Sequence, residues 1–214
     1  MNIKKILIDE IKKNGDLNIA EFMQICQFEN DGYYLKNNPI GRDNDFITSP
    51  EISQMFGEVL TIFLINFWEK KIKNNFNLVE LGPGKVTLLN DILRTSSVSQ
   101  NFLNYMNLTL IEKNKSLKHI QKKIMNTKNI TWYEEFDISN KNIPSIIYSN
   151  EFFDCFPVQQ FHKKEKWYEK YVNYNEIEQN FTLISKQVED KKILKSLEKF
   201  EQVKVAEIAR SRDE

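Results

Sequence analysis

Cysteine, histidine and glycine are scarce in this 214-residue chain, and each scarcity closes off a class of function. The two cysteines, Cys26 and Cys155, form no CxxC pair, and only His119 and His162 stand by to complete a ligand set. A zinc centre therefore lacks its ligands. The thiols read instead as small core residues of a protein kept in a reducing compartment. Neither histidine has the neighbours of a catalytic triad. Net charge is also lacking: 30 basic residues balance 30 acidic ones, so no global field favours nucleic acid or an anionic membrane surface. No apolar run reaches the roughly 18 residues of a membrane span. Asp9, Glu10 and Lys12 interrupt the N-terminal stretch too early for a secretory signal. The chain reads as soluble and cytoplasmic, without a metal site.

With only six glycines present, two of them two residues apart draw the eye. The segment Leu78-Val79-Glu80-Leu81-Gly82-Pro83-Gly84-Lys85-Val86-Thr87-Leu88-Leu89 has the pattern of a buried strand, a glycine turn and a helix start, with an acid just before the turn. Around it, short apolar strands alternate with helices. Strands are predicted at Asn77–Leu81, Leu108–Glu112, Ile130–Tyr133 and Ser145–Ser149, and helices at Thr87–Arg94, Gln100–Tyr105 and Ser116–Met125. That alternation predicts an α/β fold with a mainly parallel sheet. Upstream, helical spacing predicts helices over 3–13 and 19–27, an aromatic turn at Asp31–Tyr34 and a polar loop over 37–44. A long helix is then predicted with Ser49 as N-cap, Pro50 as first helical residue and an end near Lys73. Its apolar face is expected at Ile52, Met55, Phe56, Val59, Leu60, Phe63, Leu64 and Phe67. Downstream, 166–172 and 180–186 predict a β-hairpin and 193–200 a last helix. The expected division is an N-terminal helical extension over 1–74 and a sheet domain over 75–214.

Three ligand readings compete for the glycine turn, beside a bare strand-to-helix turn with no ligand. A P-loop requires GxxxxGK[ST], but Val86 follows Lys85 and the upstream glycine is misplaced. A dinucleotide site requires GxGxxG with an acid about 20 residues on; Thr87 stands where the third glycine belongs, and Glu112 lies farther along. The third reading is S-adenosylmethionine. Its carboxylate suits backbone N–H groups at a helix N-terminus, its ammonium suits a nearby acceptor, and its ribose diol suits a carboxylate at Glu112.

Further segments sharpen the choice. Gly41-Arg42-Asp43-Asn44-Asp45-Phe46-Ile47-Thr48-Ser49-Pro50-Glu51-Ile52-Ser53-Gln54-Met55-Phe56-Gly57-Glu58 resembles a signature that precedes the sheet in the MidA/NDUFAF7-type methyltransferases. Ser149-Asn150-Glu151-Phe152-Phe153-Asp154-Cys155-Phe156-Pro157-Val158-Gln159-Gln160-Phe161 resembles that family's signature after the fourth strand. Asp31-Gly32-Tyr33-Tyr34 is similar to its N-terminal element. With Glu80–Gly84 these stand in the family's order, over nearly the whole chain.

The resemblance implies a class I, Rossmann-like methyltransferase sheet, S-adenosylmethionine as cofactor and a protein substrate methylated at arginine. Eukaryotic members are mitochondrial and act in respiratory complex I assembly; bacterial members are cytoplasmic. Glu80, Gly82, Pro83, Gly84, Glu112, Asn150, Thr48 and Ser49 are the expected cofactor-binding residues, with Gln54 as a further lining residue. Glu151 and Asp154 are the expected catalytic pair, able to hold a guanidinium through paired charge-assisted bonds, with Phe152, Phe153 and Phe156 as walls. Trp132 and Tyr133, near where an adenine would lie, are expected as core or rim aromatics, and Asp137 as a contact to an adenine amino group.

Two departures from the family stand out. Val86 replaces a glycine, and a Cβ there crowds a ligand or demands a shifted turn. The family also continues into further strands, one ending in Asp-Tyr-Gly, that this sequence lacks. The sheet is therefore expected to be incomplete, with Ile146, Ile147 and Tyr148 forming an open edge for a partner or a second copy to complete. The alternative function is an impaired fragment or an assembly scaffold that keeps the fold.

Overall fold

The computed structural model of the chain describes residues 2–29, 32–36, 47–125, 130–136 and 143–201. In chain order its elements are α1 (Ile3–Asn14), β1 (Leu17–Asn18), α2 (Ile19–Phe28), α3 (Tyr33–Lys36), α4 (Ser49–Ile52), α5 (Gln54–Lys71), β2 (Phe76–Leu81), α6 (Thr87–Thr95), α7 (Gln100–Tyr105), β3 (Met106–Ile111), α8 (Lys115–Ile124), β4 (Ile130–Tyr133), β5 (Ser145–Ser149), β6 (Phe161–Lys163), β7 (Trp167–Asn175), β8 (Asn180–Gln187) and α9 (Lys191–Glu201). They form two compact units, one from Met1–Gly32 with Phe156–Glu214 and one from Tyr33–Cys155. Among the described residues no helix is long and apolar enough to cross a membrane.

The first unit is built on β7, which pairs antiparallel with β8, β6 and the short β1. Asn2 caps α1, its side chain accepting from the Lys4 N–H, and Gly15 ends that helix at φ +90°. Asn18 and Glu21 cap α2 reciprocally. Leu7, Ile11, Leu17 and Ile25 form the core of this unit, with Phe22, Tyr174 and Phe181 packed against it. The hairpin and the last helix are where the sequence predicts them.

The second unit carries a parallel sheet in the order β4-β3-β2-β5. Apolar residues at every second position put Phe76, Leu78, Leu108, Leu110, Ile130, Trp132, Ile146 and Tyr148 on one face. There they pack with Leu64, Ile65 and Trp68 of α5, Leu88, Leu89 and Ile92 of α6, Phe102 of α7, and Met125. Trp68, Phe76 and Phe102 form an aromatic knot with ring centroids 5.1 to 6.0 Å apart. Among the described residues β5 pairs with β2 alone, and Ile147 on its outer face is 46% exposed.

Three local expectations are corrected. The residues after Gly32 form a helical turn, α3, rather than an open aromatic turn. The single long helix is two. Thr48, not Ser49, is the N-cap of α4, and it makes no side-chain cap bond; Pro50 stands inside the first turn. Ser53 is extended (φ −149°, ψ 129°) and caps α5 through a bond from the Met55 N–H. The buried side of α5 is also rotated from the expected face. Gly57, Thr61, Leu64, Ile65 and Trp68 are buried, while Met55, Val59 and Phe63 are about two-thirds exposed. The helix is apolar nearly all round, so hydrophobicity alone does not choose its inner face. Asp31, the segment 37–46 and Asp137 lie outside the described residues.

Candidate active site

Two parallel strands end side by side, and their register builds the site. Glu80 pairs across the sheet with Tyr148 on one side and Leu110 on the other. The next residues continue the pairing, with the Gly82 N–H donating to the Ile111 carbonyl at 3.0 Å and the Glu112 N–H to the Tyr133 carbonyl at 2.9 Å. The chain then turns through three left-handed residues, Gly82 (φ +63°), Gly84 (φ +53°) and Val86 (φ +58°). Two are glycines, for which this region carries no penalty. Val86 is β-branched and strained there, but its side chain is fully buried in the main core. Its Cβ therefore packs inward, and the expected crowding of a ligand is replaced by a backbone strain offset by packing. As N-cap of α6, Val86 offers no side-chain oxygen to the first turn of that helix.

Glu80 is 3% exposed, and the Tyr148 hydroxyl donates to its Oε2 at 3.0 Å. Burial pushes the Glu80 carboxyl up to about 8, opposed by that bond. Tyr148 is itself pushed well above the usual phenol range by burial and by the neighbouring carboxyl. Glu112 is also buried, but it accepts from the Asn114 N–H at 2.8 Å and from Gln121 Nε2 at 3.0 Å. Burial raises its pKa while those bonds pull it back down.

Gln121 is a member of the site that the sequence reading missed. It is completely buried on α8, and its Nε2 also donates to the Gly84 carbonyl at 3.0 Å. Its Oε1 accepts from Trp132 Nε1 at 3.2 Å. One amide thus ties the glycine turn, Glu112 and β4 together, and Trp132 takes the core role expected of it. The signal was present: a glutamine among the apolar positions Leu117, Ile120 and Ile124 of an amphipathic helix. Tyr148 and the pair Glu51 and Thr87 were missed as well. Thr87 Oγ1 donates to Glu51 Oε1 at 2.6 Å, which brings α4 against the start of α6.

The remaining candidates are placed as follows. Thr48 and Ser49 are half-buried beside Pro50, and Gln54 is exposed. Asn150 is half-buried just after β5, and Glu151 follows in a left-handed conformation (φ +51°), exposed. The Phe152 ring lies against Gly82, where an added Cβ would be 2.4 Å from Cδ2. It meets Phe153 edge-on with centroids 5.5 Å apart. Asp154 sits in the tight turn Phe153–Cys155, exposed, and Phe153 is 67% exposed. Tyr133 is 55% exposed. Gly84 and Glu112 are thus tied together through Gln121, and Glu80 is held by Tyr148 beside the same turn, whereas Glu151 and Asp154 stand on the surface of the loop after β5.

The donor set suits the two ends of an α-amino acid. A buried carboxyl that keeps its proton gains an ionised partner when an ammonium arrives. The first turn of α6, without a capping side chain, suits a carboxylate. A second buried carboxylate, already held in place, suits a pair of hydroxyls.

Comparison with known proteins points the same way. Residues 59–211 match the family described as "Putative S-adenosyl-L-methionine-dependent methyltransferase". The chain is 39% identical to the mitochondrial protein arginine methyltransferase NDUFAF7 of Bos taurus, over 73% of this chain and 41% of that protein. It is 34% identical to the Mus musculus protein of the same name, over 78% of this chain and 44% of that one. The chain therefore spans less than half the length of these relatives. A crystal structure from Burkholderia thailandensis with S-adenosyl-homocysteine bound superposes with a TM-score of 0.74, at 16% identity, over 92% of this chain and 52% of that one. It shares the fold.

Proposed function

The chain belongs to the MidA/NDUFAF7-type family of S-adenosyl-L-methionine-dependent methyltransferases, and from that premise we propose that Tyr33–Cys155 binds this cofactor at the ends of β2 and β3 and that the whole protein methylates protein arginine. The observation that carries the reading is Glu80, a carboxyl buried at the glycine turn with a phenol as its hydrogen-bond partner and a pKa near 8. Burial keeps that carboxyl protonated, and its ionised form becomes favourable when a cation joins it.

When bound, the cofactor supplies an electrophilic methyl group on its sulfonium sulfur. The residues do the rest. Glu80 releases its proton and takes the ammonium. The first-turn N–H groups of α6 and the backbone of Gly82–Gly84 take the carboxylate. Glu112, held by Asn114 and Gln121, accepts from the ribose hydroxyls. Thr48, Ser49 and Asn150 line the remaining wall. Glu151 and Asp154 grip the acceptor guanidinium by charge-assisted bonds, turn one nitrogen toward the methyl, draw positive charge onto the others and accept the proton that this nitrogen loses as the N–C bond forms and the S–C bond breaks. Phe152 and Phe153 keep water away from the transfer. The cytoplasm as compartment, and a partner or second copy along β5, belong to the same reading.

Calorimetric titration of the chain with S-adenosyl-homocysteine tests the binding half. Heat of binding that Glu112→Ala abolishes is expected. Labelled S-adenosylmethionine added with cell extract tests the transfer half, with label expected in protein arginine. A scaffold without cofactor is the second reading, favoured by the Phe152 ring on Gly82. Absence of any heat from the unaltered chain would establish it.

A further inference from the structure

A polar seam joins α6 to the segment before the sheet. Thr87, Asp91 and Arg94 are spaced four and three residues apart, so they share one face of α6. Thr87 bonds Glu51 at 2.6 Å. Asp91 packs on Gly57, where an added Cβ would be 2.5 Å from Asp91 Cβ. Arg94 reaches Glu58 at 3.0 Å and Asp91 at 2.9 Å. Glu51, Gly57 and Glu58 all come from the Gly41–Glu58 segment, and their contacts explain why that stretch carries an acid, a glycine and a second acid at those places.

The three contacts are not equivalent. The Arg94 pairs lie at the far end of the seam, where the guanidinium is half exposed: its pair with exposed Glu58 contributes little, while its pair with Asp91 partners a buried carboxylate. The Glu51 bond lies at the other end, part-buried, on the first residue of α6. It forms because the helix breaks at extended Ser53, which frees the α4 turn to lean on the glycine turn. A regular 3.6-residue winding through Ser53 would tie the direction of Glu51 to the axis of α5. The bond uses the Thr87 hydroxyl, so it does not occupy the first backbone N–H groups of α6.

We propose that Glu51 is a positioning residue for cofactor binding: through Thr87 Oγ1 it latches the Thr48–Ile52 turn onto the start of α6 and so holds Thr48 and Ser49 at the cofactor's side. This rests on the cofactor site proposed above. The latch needs an acceptor at position 51 and a hydroxyl at position 87, and nothing else of either side chain.

The test is a double-mutant cycle read by calorimetric titration with S-adenosyl-homocysteine. Glu51→Ala and Thr87→Val are each expected to weaken binding about tenfold, the size of one hydrogen bond. The double variant should lose no more than either single one. Thr87→Ser and Glu51→Gln keep the hydroxyl and the acceptor and should bind within about twofold of the unaltered chain. Arg94→Ala, which cuts the far end of the seam, should lower the melting temperature but leave affinity unchanged. Unchanged affinity in Glu51→Ala and Thr87→Val overturns the latch. So does additive loss in the double variant, or an equal loss in Arg94→Ala, which would make the whole seam a stiffener. If the unaltered chain binds nothing, the cofactor site itself is wrong and the latch falls with it, a result distinct from the others because Glu51 and Thr87 are intact in it.

Discussion

Glu80 and Glu112 end neighbouring strands of one sheet, flank one glycine turn and are both buried, yet the fold supports them differently. Glu112 receives a backbone N–H and a primary amide, and Gln121 behind it is itself fixed by Gly84 and Trp132. Glu80 has the Tyr148 hydroxyl from the next strand. Burial raises both pKa values; the Asn114 N–H and the Gln121 amide oppose it at Glu112, and the Tyr148 hydroxyl opposes it at Glu80. Depth alone therefore does not decide the charge state of a buried acid; the count and kind of donors do. Glu112 is prepared as an acceptor, whereas Glu80 keeps a proton until something positive replaces it.

The largest expected effect breaks the pair apart by pH. Unfolded, Glu80 ionises above about pH 4.5; folded, it ionises only above about 8. Between those values the folded chain holds a proton that the unfolded chain has lost. Its stabilising contribution is whole below the lower value, declines as pH rises and is gone above the upper one, a span on the order of 3 to 5 kcal/mol. Denaturant unfolding from pH 4.5 to 8.5 measures it. Glu80→Gln should remove most of the slope, and Glu112→Gln a smaller part. A slope unchanged in Glu80→Gln would mean that Glu80 is ionised throughout. Cofactor binding at pH 7 should release a proton from Glu80, seen as a buffer-dependent heat that fades above pH 8.

Next in size is the loss of Glu112 itself. Glu112→Ala strips acceptors from the Asn114 N–H and from fully buried Gln121, and should cost about 2 to 3 kcal/mol at pH 7. Glu80→Gln should cost nothing there and should gain roughly 3 kcal/mol, because folding no longer has to protonate a carboxylate that is ionised in the unfolded chain. Equal losses would erase the distinction between the two acids. Gln121→Leu sharpens it from the other direction. Without the amide, Glu112 loses a donor and Trp132 Nε1 an acceptor, and the expected cost is about 2 kcal/mol. The Glu112 pKa should then rise further, because a bond that lowers it is gone, which carbonyl NMR of the labelled carboxylates reports.

The sequence made one half of this contrast visible. Glu80, the glycines and Glu112 lie at strand ends marked by local apolar runs, so the turn and both acids could be read from a window of a few residues. Tyr148 could not, because its role depends on sheet register; Gln121 stands out on the apolar face of its helix, but what it bonds depends on which way that helix faces. Tyr148 is opposite Glu80 only because β5 pairs with β2 in that register. The same limit explains the break at Ser53, hidden inside a run of good helix formers, and the inner face of α5, where apolar residues on nearly every side left Thr61 and Gly57 as the unlikely buried pair. Glu151 and Asp154 were named from family likeness, and both are exposed on the loop after β5.

Val86→Gly is the smallest expected change, and it asks whether the turn or its supports set the two environments. Removing the buried side chain costs about 1.5 to 3 kcal/mol. Releasing a β-branched residue from the left-handed region returns about 1 to 2 kcal/mol. The net should be a loss of about 1 kcal/mol, read as a small fall in melting temperature. Gly84 still accepts from Gln121 and Tyr148 still donates to Glu80, since neither bond involves the Val86 side chain. The pH profile should therefore keep its shape. If it flattens instead, the strained turn, rather than the donors around each acid, is what holds the proton on Glu80.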